Sequence, residues 1–471
     1  MEIRNKSVDT LWEELARWGT ERELNSLDSL MWRTERPPAD SWAGVVVKVL
    51  GSAPSWQRLR RSHQWALNVV PRFTERVVDP IVPLGPPLWS RYPEFDLSDH
   101  LTHVQLGTSG TMAQVLKIAQ ELAVTPLDPS RPPWRAIFVD GLEDGRAAYI
   151  LQAHHVLMDG GAATQLFSRL LSPTLDPTTQ PTSQGIERRV VTPTGAALYG
   201  LRRLLAGIPW LVPALIKALV HLVRRPKRTA RYVASLARVA TPPPATTSPI
   251  LSRSHRHAWR FGTLECQLTD IKQAGKSAGG TVNDAFVAAI LGGLRIYHER
   301  LGLELDDVPI SMPVSVRKPD DPLGGNRFTG AFYSAPSSII DPAKRIQAMR
   351  ERVSMVRNEP ALDFLNTVTP AFNYIPRRLV TSMIGKLSTG AALTTSSWPG
   401  AQRPVQIAGA DFERMFVFGP LPGTAMCAAL CTHGDVCCIA VNADGDVFTD
   451  LPALWTSLQQ GLDEVLALAT R

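Results

Sequence analysis

The sequence has few cysteines, five in 471 residues, and no long uninterrupted hydrophobic run. A small, odd number of cysteines in a chain of this length argues against a disulfide framework, so free and mostly buried thiols are expected. The longest apolar stretch, Ile208 to Val223, is interrupted by two prolines, a lysine and a histidine. Since a spanning helix needs roughly 20 apolar residues, we expect none that crosses a membrane.

Several local signals are also missing. The opening residues, MEIRNK, are polar, and no apolar run follows them. They therefore predict neither a secretory signal nor a lipid anchor, and favour a cytoplasmic location. No Gly-rich phosphate loop is present, which argues against nucleotide hydrolysis.

Four of the five cysteines and a histidine crowd into one short segment near the C-terminus. They are Cys427, Cys431, His433, Cys437 and Cys438. Their spacing matches no standard zinc-ligand pairing, and the alternating apolar residues around them are typical of strands. We therefore expect no metal site, and thiols that pack as small hydrophobic groups.

Composition indicates an ordinary folded protein, with 44% hydrophobic and 20% charged residues. The length favours two domains. The formal net charge of +7 is concentrated in one segment, because residues 187–260 contain fourteen Lys or Arg against one acid. Pro/Thr-rich stretches at 172–184 and 241–249 flank much of that segment, which predicts linkers.

Hydrophobic periodicity predicts alternating helices and strands. Expected helices are Thr111 to Val124, Gly161 to Leu171 and Thr281 to Arg300, and expected strands are Arg135 to Asp140, Ala147 to His154 and Val308 to Val316. The first two strands flank a Gly-Leu-Glu-Asp-Gly turn and should form a hairpin. We expect a mixed α/β (α+β) architecture with domains at 1–185 and 258–471, joined by a basic connector at 186–257.

The connector, which contains Trp210, has two structural interpretations. It forms either a pair of helices lying on a membrane surface or a helical crossover packed on the protein with a solvated basic face. No nucleic-acid-binding module accompanies the basic residues, so nucleic acid is not the expected partner. Anionic lipid headgroups or the phosphates of CoA match the charge better.

One motif combines residues suited to acid–base chemistry. His154, His155, Asp159 and Gly160 form HHxxxDG at the point where a strand ends and a helix begins. Successive strand side chains point to opposite faces, so only one histidine faces a cleft while the other packs inward. Asp159 is placed to cap backbone N–H groups or to pair with an arginine, and Gly160 with Gly161 permits a tight turn.

The motif and several flanking segments resemble one known family. HHVLMDG resembles the active-site motif of the CoA-dependent acyltransferase superfamily, in its wax ester synthase/diacylglycerol acyltransferase branch. The supporting segments are SLDSLMWRTE (Ser26 to Glu35), PRFTERVV (Pro71 to Val78), FDLSDHLTHV (Phe95 to Val104), PLDPSRPPW (Pro126 to Trp134), TVNDAFVAAI (Thr281 to Ile290), PVSVR (Pro313 to Arg317) and GGNRF (Gly324 to Phe328). The resemblance covers nearly the whole chain.

The resemblance implies two chloramphenicol-acetyltransferase-like domains with an active-site tunnel between them. Acyl-CoA, the co-substrate, would enter one mouth and diacylglycerol or a fatty alcohol the other, with no cofactor. The product would be triacylglycerol or a wax ester, made at a membrane or lipid-droplet surface by a peripherally associated cytoplasmic enzyme. It further implies that His155 is the general base, that Asp159 is structural, and that Asn283 and Asp284 are the Asn-Asp pair near the tunnel.

Two segments depart from the family pattern. The family's Ser-Asn-Val-Pro-Gly-Pro reads Ser396 to Ala401 here, with Ser397 in place of Asn and Ala401 in place of the final Pro. Ser396 and Ser397 are then the oxyanion-donor candidates. The family's Arg-Pro-Leu-Trp runs from Arg131 to Trp134 here, with Pro133 in place of Leu. Arg131 and Trp134 are expected to support the site.

Two alternative functions remain open at this stage. One is acyl transfer to another hydroxyl or to an amine, as in condensation domains or polyketide-associated acyltransferases that share HHxxxDG. The other is a lipid-binding surface protein whose catalytic function has decayed, which the altered Ser396 to Ala401 segment motivates. We expect Asn283 to brace its helix rather than to contact substrate, because Asn and Asp commonly cap helices.

Overall fold

The structure is a computed structural model. It describes residues 14–15, 17–36, 41–171, 189–241, 244, 246–253, 258–318, 321, 324–388, 391–400, 405–421 and 423–470. For residues 108, 208, 210–223, 240, 365, 384–388 and 470 it describes the backbone alone. The predicted linker at 172–184 therefore lies outside the described residues.

The N-terminal part of the chain alternates strands and helices. Its elements are α1 (Ser26–Thr34), β1 (Ala43–Leu50), α2 (Trp56–Val69), β2 (Glu75–Val78), β3 (Leu88–Arg91), β4 (Leu101–Gly110), α3 (Met112–Val124), β5 (Trp134–Leu142), β6 (Ala147–His154) and α4 (Gly160–Leu170). The predicted helix after Thr111 is confirmed as α3. The predicted hairpin is confirmed too, because β5 and β6 pair antiparallel.

The remaining elements form the connector and the C-terminal part. They are α5 (Pro193–Arg224), α6 (Pro226–Ala240), β7 (Trp259–Gln267), α7 (Leu268–Ser277), α8 (Val282–Arg300), β8 (Val308–Ser315), β9 (Phe328–Ala335), α9 (Pro342–Arg357), α10 (Phe364–Phe372), α11 (Arg377–Ser388), β10 (Leu393–Trp398), β11 (Gln406–Ile407), β12 (Ala410–Phe418), β13 (Met426–His433), β14 (Val436–Asp444) and α12 (Leu451–Leu466). The predicted helix and strand in this part are confirmed as α8 and β8.

Two six-stranded sheets organise these elements. The first sheet has the order β11-β12-β1-β6-β5-β4, and the second has the order β7-β14-β13-β10-β8-β9. Strand β12 pairs antiparallel with β1, so residues 405–418 leave the second domain as drawn from the sequence and join the first sheet. We call residues 14–171 with 405–418 the first half, and residues 258–398 with 423–470 the second half.

Hydrophobic packing joins the two halves. One cluster combines Val45 and Val47 of β1 with Phe261 of β7 and Cys438 of β14, so side chains of the two sheets pack directly on each other. Phe261 and Phe418 stack with ring centroids 3.9 Å apart. A larger cluster lies around α8 and α12 of the second half and also includes Ile250 and Leu251 of the connector. Packing between sheets therefore fixes how the strand ends of the two halves meet.

The connector forms two helices that are anchored at their outer ends. Near the start of α5, the Tyr199 hydroxyl donates to Glu23 of the first half at 2.6 Å. Near the end of α6, Ser235 and Arg238 donate to Glu359 of the second half at 2.6 and 2.7 Å. The predicted pair of helices is thus confirmed, and both of its ends pack on the protein.

The middle of the connector contains the junction of α5 and α6. A run of basic side chains at the α5–α6 junction is exposed: Arg224, Arg225, Lys227, Arg228 and Arg231. Exposed Tyr232 and Val233 follow. The side chains of Trp210 and of most of the apolar run 208–223 lie outside the described residues. Among the described helices, none combines the length and apolarity that crossing a membrane requires.

Candidate active site

The HHxxxDG motif lies where the sequence predicts it. Strand β6 ends at His154, and Asp159 is the N-cap of α4. The backbone N–H of His154 donates to the Pro133 carbonyl at 2.9 Å, and that of His155 donates to the Trp42 carbonyl at 3.0 Å. Both histidines are therefore held at the backbone by the segments that precede the flanking strands β5 and β1.

His154 is the inward-facing member of the pair. Its side chain is almost fully buried, and its Nδ1 accepts the Val156 N–H at 3.0 Å. Its Nε2 lies 3.4 Å from Oε2 of Glu35. Burial opposes ionisation of Glu35, but contacts with His154, Ser41 and the Trp42 N–H outweigh it and lower the pKa of that carboxyl. His154 thus supports the motif from its buried side.

His155 is the partly exposed member, as the alternation of strand side chains predicts. Its Nδ1 lies 3.1 Å from Oδ1 of Asn326, and its ring meets the edge of Phe328 at 5.8 Å between centroids. Burial lowers the pKa of His155 below its usual value, although Asn326 and the Asp159 carboxylate act in the opposite direction. Neutral imidazole therefore prevails at pH 7.

Asn326 is a site residue that the sequence did not single out. Its Nδ2 donates to the His155 carbonyl at 2.5 Å and to Oδ1 of Asp28. Asn25 donates from its own Nδ2 to the Asn326 carbonyl at 3.1 Å. Asp28 is buried, and this burial raises its pKa well above the usual range. The only earlier signal was that these residues lie within SLDSLMWRTE and GGNRF, two segments that resemble the family.

Asp159 satisfies three donors and touches both halves. Its Oδ1 accepts the Ala162 N–H at 2.7 Å, which caps α4. Its Oδ2 accepts the Arg327 N–H at 2.8 Å and lies 3.2 Å from Nη2 of Arg317. The predicted helix cap and the predicted arginine pairing are both confirmed. Each of the two arginines belongs to the second half, so the carboxylate holds the two halves together beside His155.

The expected role of Gly160 in a tight turn is wrong. Neither Gly160 nor Gly161 has a positive φ, so neither position demands glycine for its backbone conformation. A Cβ on Gly160 would instead meet the indole of Trp398 at 3.1 Å. The glycine leaves room for a second-half tryptophan to pack on the first turn of α4, and the Thr164 hydroxyl reaches the Pro399 carbonyl at 3.5 Å nearby.

The Asn-Asp pair at the start of α8 splits into two roles. Asp284 forms a capping box with Thr281, whose N–H and hydroxyl both donate to it at 2.8 Å. Asn283 points to the neighbouring strand, where its Oδ1 accepts the Ser397 hydroxyl at 2.7 Å. Asp284 therefore braces the helix, while Asn283 braces the end of β10.

The two serine candidates face opposite ways. Alternation along β10 places Ser396 on the same face as Trp398, which contacts Gly160, and places Ser397 on the other face. The Ser397 hydroxyl is engaged by Asn283. Ser396 is therefore the serine that faces the motif. Ala401 lies outside the described residues.

Arg131 and Trp134 make no described hydrogen bond, ion pair or ring contact with the motif. Arg131 pairs with Asp99 at 2.7 Å and is substantially exposed. Trp134 is buried, its Nε1 donates to the Phe73 carbonyl at 2.7 Å, and its own carbonyl contacts Nδ1 of His100 at 2.7 Å. Both residues brace the loop that leads into β5.

The cysteine-rich segment forms strands β13 and β14, and all five cysteines are free and buried. Among the described residues, no three His, Cys, Asp or Glu side chains are grouped to hold a metal ion. Burial raises the pKa of Cys427 to about 12, so this thiol stays protonated. These thiols pack as the sequence predicts.

A cavity of about 600 Å³ opens where the halves and the connector meet. Residues from all three parts line it, among them Asn25, Arg203, Lys318, Asn326, Arg327 and Asn373. Asn326 therefore has one side on the cavity and its amide on His155. His155 itself is not among the residues that line the cavity.

Comparison with known families identifies two matching regions. Residues 24–286 match the wax ester synthase/diacylglycerol acyltransferase catalytic domain. Residues 324–465 match the C-terminal domain of the same family. The catalytic region includes the HHxxxDG motif and ends within α8. The C-terminal region begins at the GGNRF segment.

Individual relatives agree over nearly the full length. A protein of Mycobacterium tuberculosis H37Rv, named as a candidate diacylglycerol O-acyltransferase, is 32% identical over 95% of this chain and 92% of its own. The wax ester synthase/diacylglycerol acyltransferase of Marinobacter aquaeolei VT8 superposes with a TM-score of 0.65 at 20% identity, covering 95% of this chain and all of that one. The first condensation domain of the CDA synthetase gives 0.59 at 16% identity, covering 95% and 96%. The expected two-domain fold is thereby confirmed.

Proposed function

Because this chain belongs to the wax ester synthase/diacylglycerol acyltransferase family and is an acyltransferase, we propose that it transfers a long acyl group from acyl-CoA to a lipid hydroxyl. Diacylglycerol, giving triacylglycerol, is the favoured acceptor, and a fatty alcohol, giving a wax ester, is the other. The observation that carries the proposal is His155, a neutral and partly exposed imidazole at the junction of the two halves.

His155 acts as the general base in this proposal. Its ring removes the proton from the acceptor hydroxyl while the oxygen attacks the thioester carbonyl carbon. When the tetrahedral intermediate collapses, the carbon–sulfur bond breaks and His155 returns the proton to the departing CoA thiolate. The lowered pKa suits the first step, because the imidazole is unprotonated at neutral pH. Protons and electrons balance without a cofactor, since acyl-CoA is the co-substrate.

Ser396 is the proposed hydroxyl donor to the oxyanion. It lies on the face of β10 that carries Trp398 toward Gly160, and Ser397 already donates to Asn283. A single donor of this kind contributes roughly 3 to 4 kcal/mol of transition-state stabilisation. Ser396→Ala should therefore lower kcat about 10²-fold with little change in KM.

We also propose that the enzyme works while attached peripherally to an anionic lipid surface. The exposed basic junction of α5 and α6 lies between two anchors on the protein, so it can reach a membrane without disturbing the fold. Each basic side chain near such a surface contributes about 1 kcal/mol. The substrates are lipids, which makes a surface the natural place to meet them.

The experiment measures CoA release with the full chain. Long-chain acyl-CoA is supplied with dioleoylglycerol, with hexadecanol, with a primary amine or without acceptor, and the acylated product is identified by mass spectrometry. We expect release only with a lipid alcohol, and loss of about 10² to 10⁴-fold in His155→Ala. His103→Ala, a matched change at a partly exposed histidine on β4, should retain full turnover.

Each alternative function predicts a different result. Release with the amine alone indicates transfer of the condensation type. Binding of acyl-CoA without release under every condition indicates a lipid-binding protein. Unchanged turnover in His155→Ala removes this histidine from the mechanism.

A further inference from the structure

We propose that Asn326, oriented by Asp28, is a positioning residue that keeps the proton of neutral His155 on Nδ1 and so leaves Nε2 as the basic nitrogen. The inference deepens the proposed function and rests on it for its kinetic consequences. The position of this proton on the His155 ring can be tested independently of the proposed function. Asn326 touches no reacting atom in this scheme and acts only through His155.

The first step is the orientation of the Asn326 amide. Its Nδ2 has two acceptors, Oδ1 of Asp28 and the backbone carbonyl of His155, and the latter lies at 2.5 Å. A backbone carbonyl can only accept, so the contact with the His155 carbonyl fixes the NH₂ end of the amide whether or not Asp28 carries a proton. The NH₂ end of the amide must therefore face them. Its oxygen is left facing the ring of His155.

The Asn326 oxygen determines which nitrogen of the His155 imidazole carries the hydrogen. Oδ1 of Asn326 lies 3.1 Å from Nδ1 of His155. An amide oxygen can only accept, so Nδ1 must carry the hydrogen for this contact to be favourable. A neutral imidazole has one N–H, which leaves a lone pair on Nε2. The opposite tautomer would set two lone pairs against each other at this distance.

The third step explains why the amide holds its place. Asn326 is buried, and Asn25 donates to its backbone carbonyl at 3.1 Å. Arg317 donates to the carbonyls of Gly324 and Gly325 at 3.3 and 2.7 Å, and Met158 forms a bridge with Gly325. The loop that carries Asn326 is thus tied to the loop that carries His155.

The hydrogen-bonded chain of Asp28, Asn326 and His155 spans both halves of the molecule. Asp28 and His155 belong to the first half, and Asn326 belongs to the second. The correct tautomer therefore requires the halves to be docked. Other charged groups act on the same network: Asp159 and His154 act on His155, and Asp159 and Arg72 act on Asp28. None of these groups contacts Nδ1 directly among the described hydrogen bonds.

The direct test is spectroscopic. The full chain is labelled with ¹⁵N-histidine, and long-range proton–nitrogen spectra at pH 7.5 assign the protonated nitrogen of each neutral ring. His155→Gln identifies the signal of His155. We expect an Nδ1–H ring in the wild type and a loss of that preference in Asn326→Leu. Asn366→Leu is the matched control, because that asparagine donates to the Phe328 carbonyl nearby but not to the histidine.

Kinetics provide the second test. Asn326→Leu should lower kcat about 10²-fold while KM changes less than about threefold. The binding surfaces are kept, but His155 loses its preference for the Nδ1–H tautomer. Asn326→Asp keeps an acceptor for Nδ1–H but loses the donor to the His155 carbonyl, so it should recover part of kcat. Its carboxylate also stabilises the imidazolium, so the acid limb of the kcat/KM profile should move up by about one pH unit. Asn366→Leu should leave the profile unchanged.

Three results would overturn the inference: an Nε2–H ring in the wild type, an unchanged tautomer in Asn326→Leu, or an unshifted acid limb in Asn326→Asp. Should Asn326→Leu fail to fold, the wild-type spectrum and the Asp variant decide. An Nδ1–H ring together with full turnover in His155→Ala would leave the tautomer assignment standing while removing the proposed function. The two failures are therefore distinguishable.

Discussion

Lys48 in the first half and Arg345 in the second are both buried cations, but they are accommodated in opposite ways. Arg345 is fully buried and pairs with Glu464 at 2.9 Å, while it also donates to the carbonyls of Ala288 and Ile339. Lys48 has aromatic rings for neighbours. Its Nζ lies 4.1 Å from the ring centroid of Phe167, with two further rings within 5.7 Å.

The electrostatic consequence is visible across the first half. Burial lowers the pKa of Lys48 to about 7 and that of His63 to about 4, and it raises the pKa of Asp28. Groups with strongly shifted pKa values concentrate at functional sites, where neutral forms of ionisable side chains are needed. The second half supplies amide, hydroxyl and guanidinium partners to the site. In the proposed mechanism, the general base therefore lies in the first half, and the residues that position it and the acyl group lie in the second.

Arg345→Met tests the second half and should have the largest effect. It leaves Glu464 with Arg295 as its remaining partner and removes the donor to the carbonyls of Ala288, Ile339 and Ile340, so we expect a loss of about 3 kcal/mol in the free energy of unfolding. Urea denaturation of the full chain measures it. Arg300→Met, an exposed arginine on the same helix as Ala288, should change stability by less than about 0.5 kcal/mol. A loss no larger than that of the control would remove the contrast between the two cations.

Asp159→Ala tests the contact between the halves. It removes the acceptor of three donors and the cap of α4, so we expect a loss of about 2 kcal/mol in the free energy of unfolding. Asp159→Asn keeps an acceptor for the cap and should lose about half as much. Thermal unfolding of the three proteins gives the comparison. Equal losses would show that the charge of Asp159, and its pairing with Arg317, outweighs the cap.

Lys48→Met tests the first half through pH. The pKa of Lys48 falls from 10.5 in the unfolded chain to about 7 in the folded protein. Between these values the unfolded state binds the extra proton, so Lys48 makes stability rise with pH, by up to about 1.4 kcal/mol per unit. The wild type minus Lys48→Met difference in unfolding free energy should follow that slope from pH 7 to 10. A flat difference would show that Lys48 is charged throughout and adequately solvated.

Sequence reasoning located the motif, the inward and outward histidines and the capping role of Asp159, because these depend on local spacing. It could not find Asn326, which lies 171 residues from His155 and meets it only through the docking of the two halves. For the same reason, the predicted domain at 258–471 did not show that β12 pairs with β1 of the first sheet, since the sequence of a strand does not specify which strand it joins. Patterns define elements and faces, whereas partners from distant segments require the fold.

Gly160→Ala tests the contact between α4 of the first half and Trp398 of the second, and it should have the smallest effect on stability. The new Cβ would lie 3.1 Å from the Trp398 indole, which must move by a few tenths of an ångström, while replacing glycine by alanine in a helix offsets the cost by about 0.4 to 1 kcal/mol. Trp398 is two residues from Ser396 on the same face, so its shift should lower kcat several-fold although the protein unfolds at nearly the same temperature.

A second substitution identifies the cause of that loss. Trp398→Phe in the Gly160→Ala background shortens the ring and should restore part of kcat, which a defect confined to α4 would not allow. Gly207→Ala on α5, where an added Cβ meets no atom within 4 Å, should leave kcat unchanged. If Gly160→Ala loses no activity, α4 of the first half does not position β10 of the second half through this contact, and the evidence for positioning across the two halves rests on Asn326 alone.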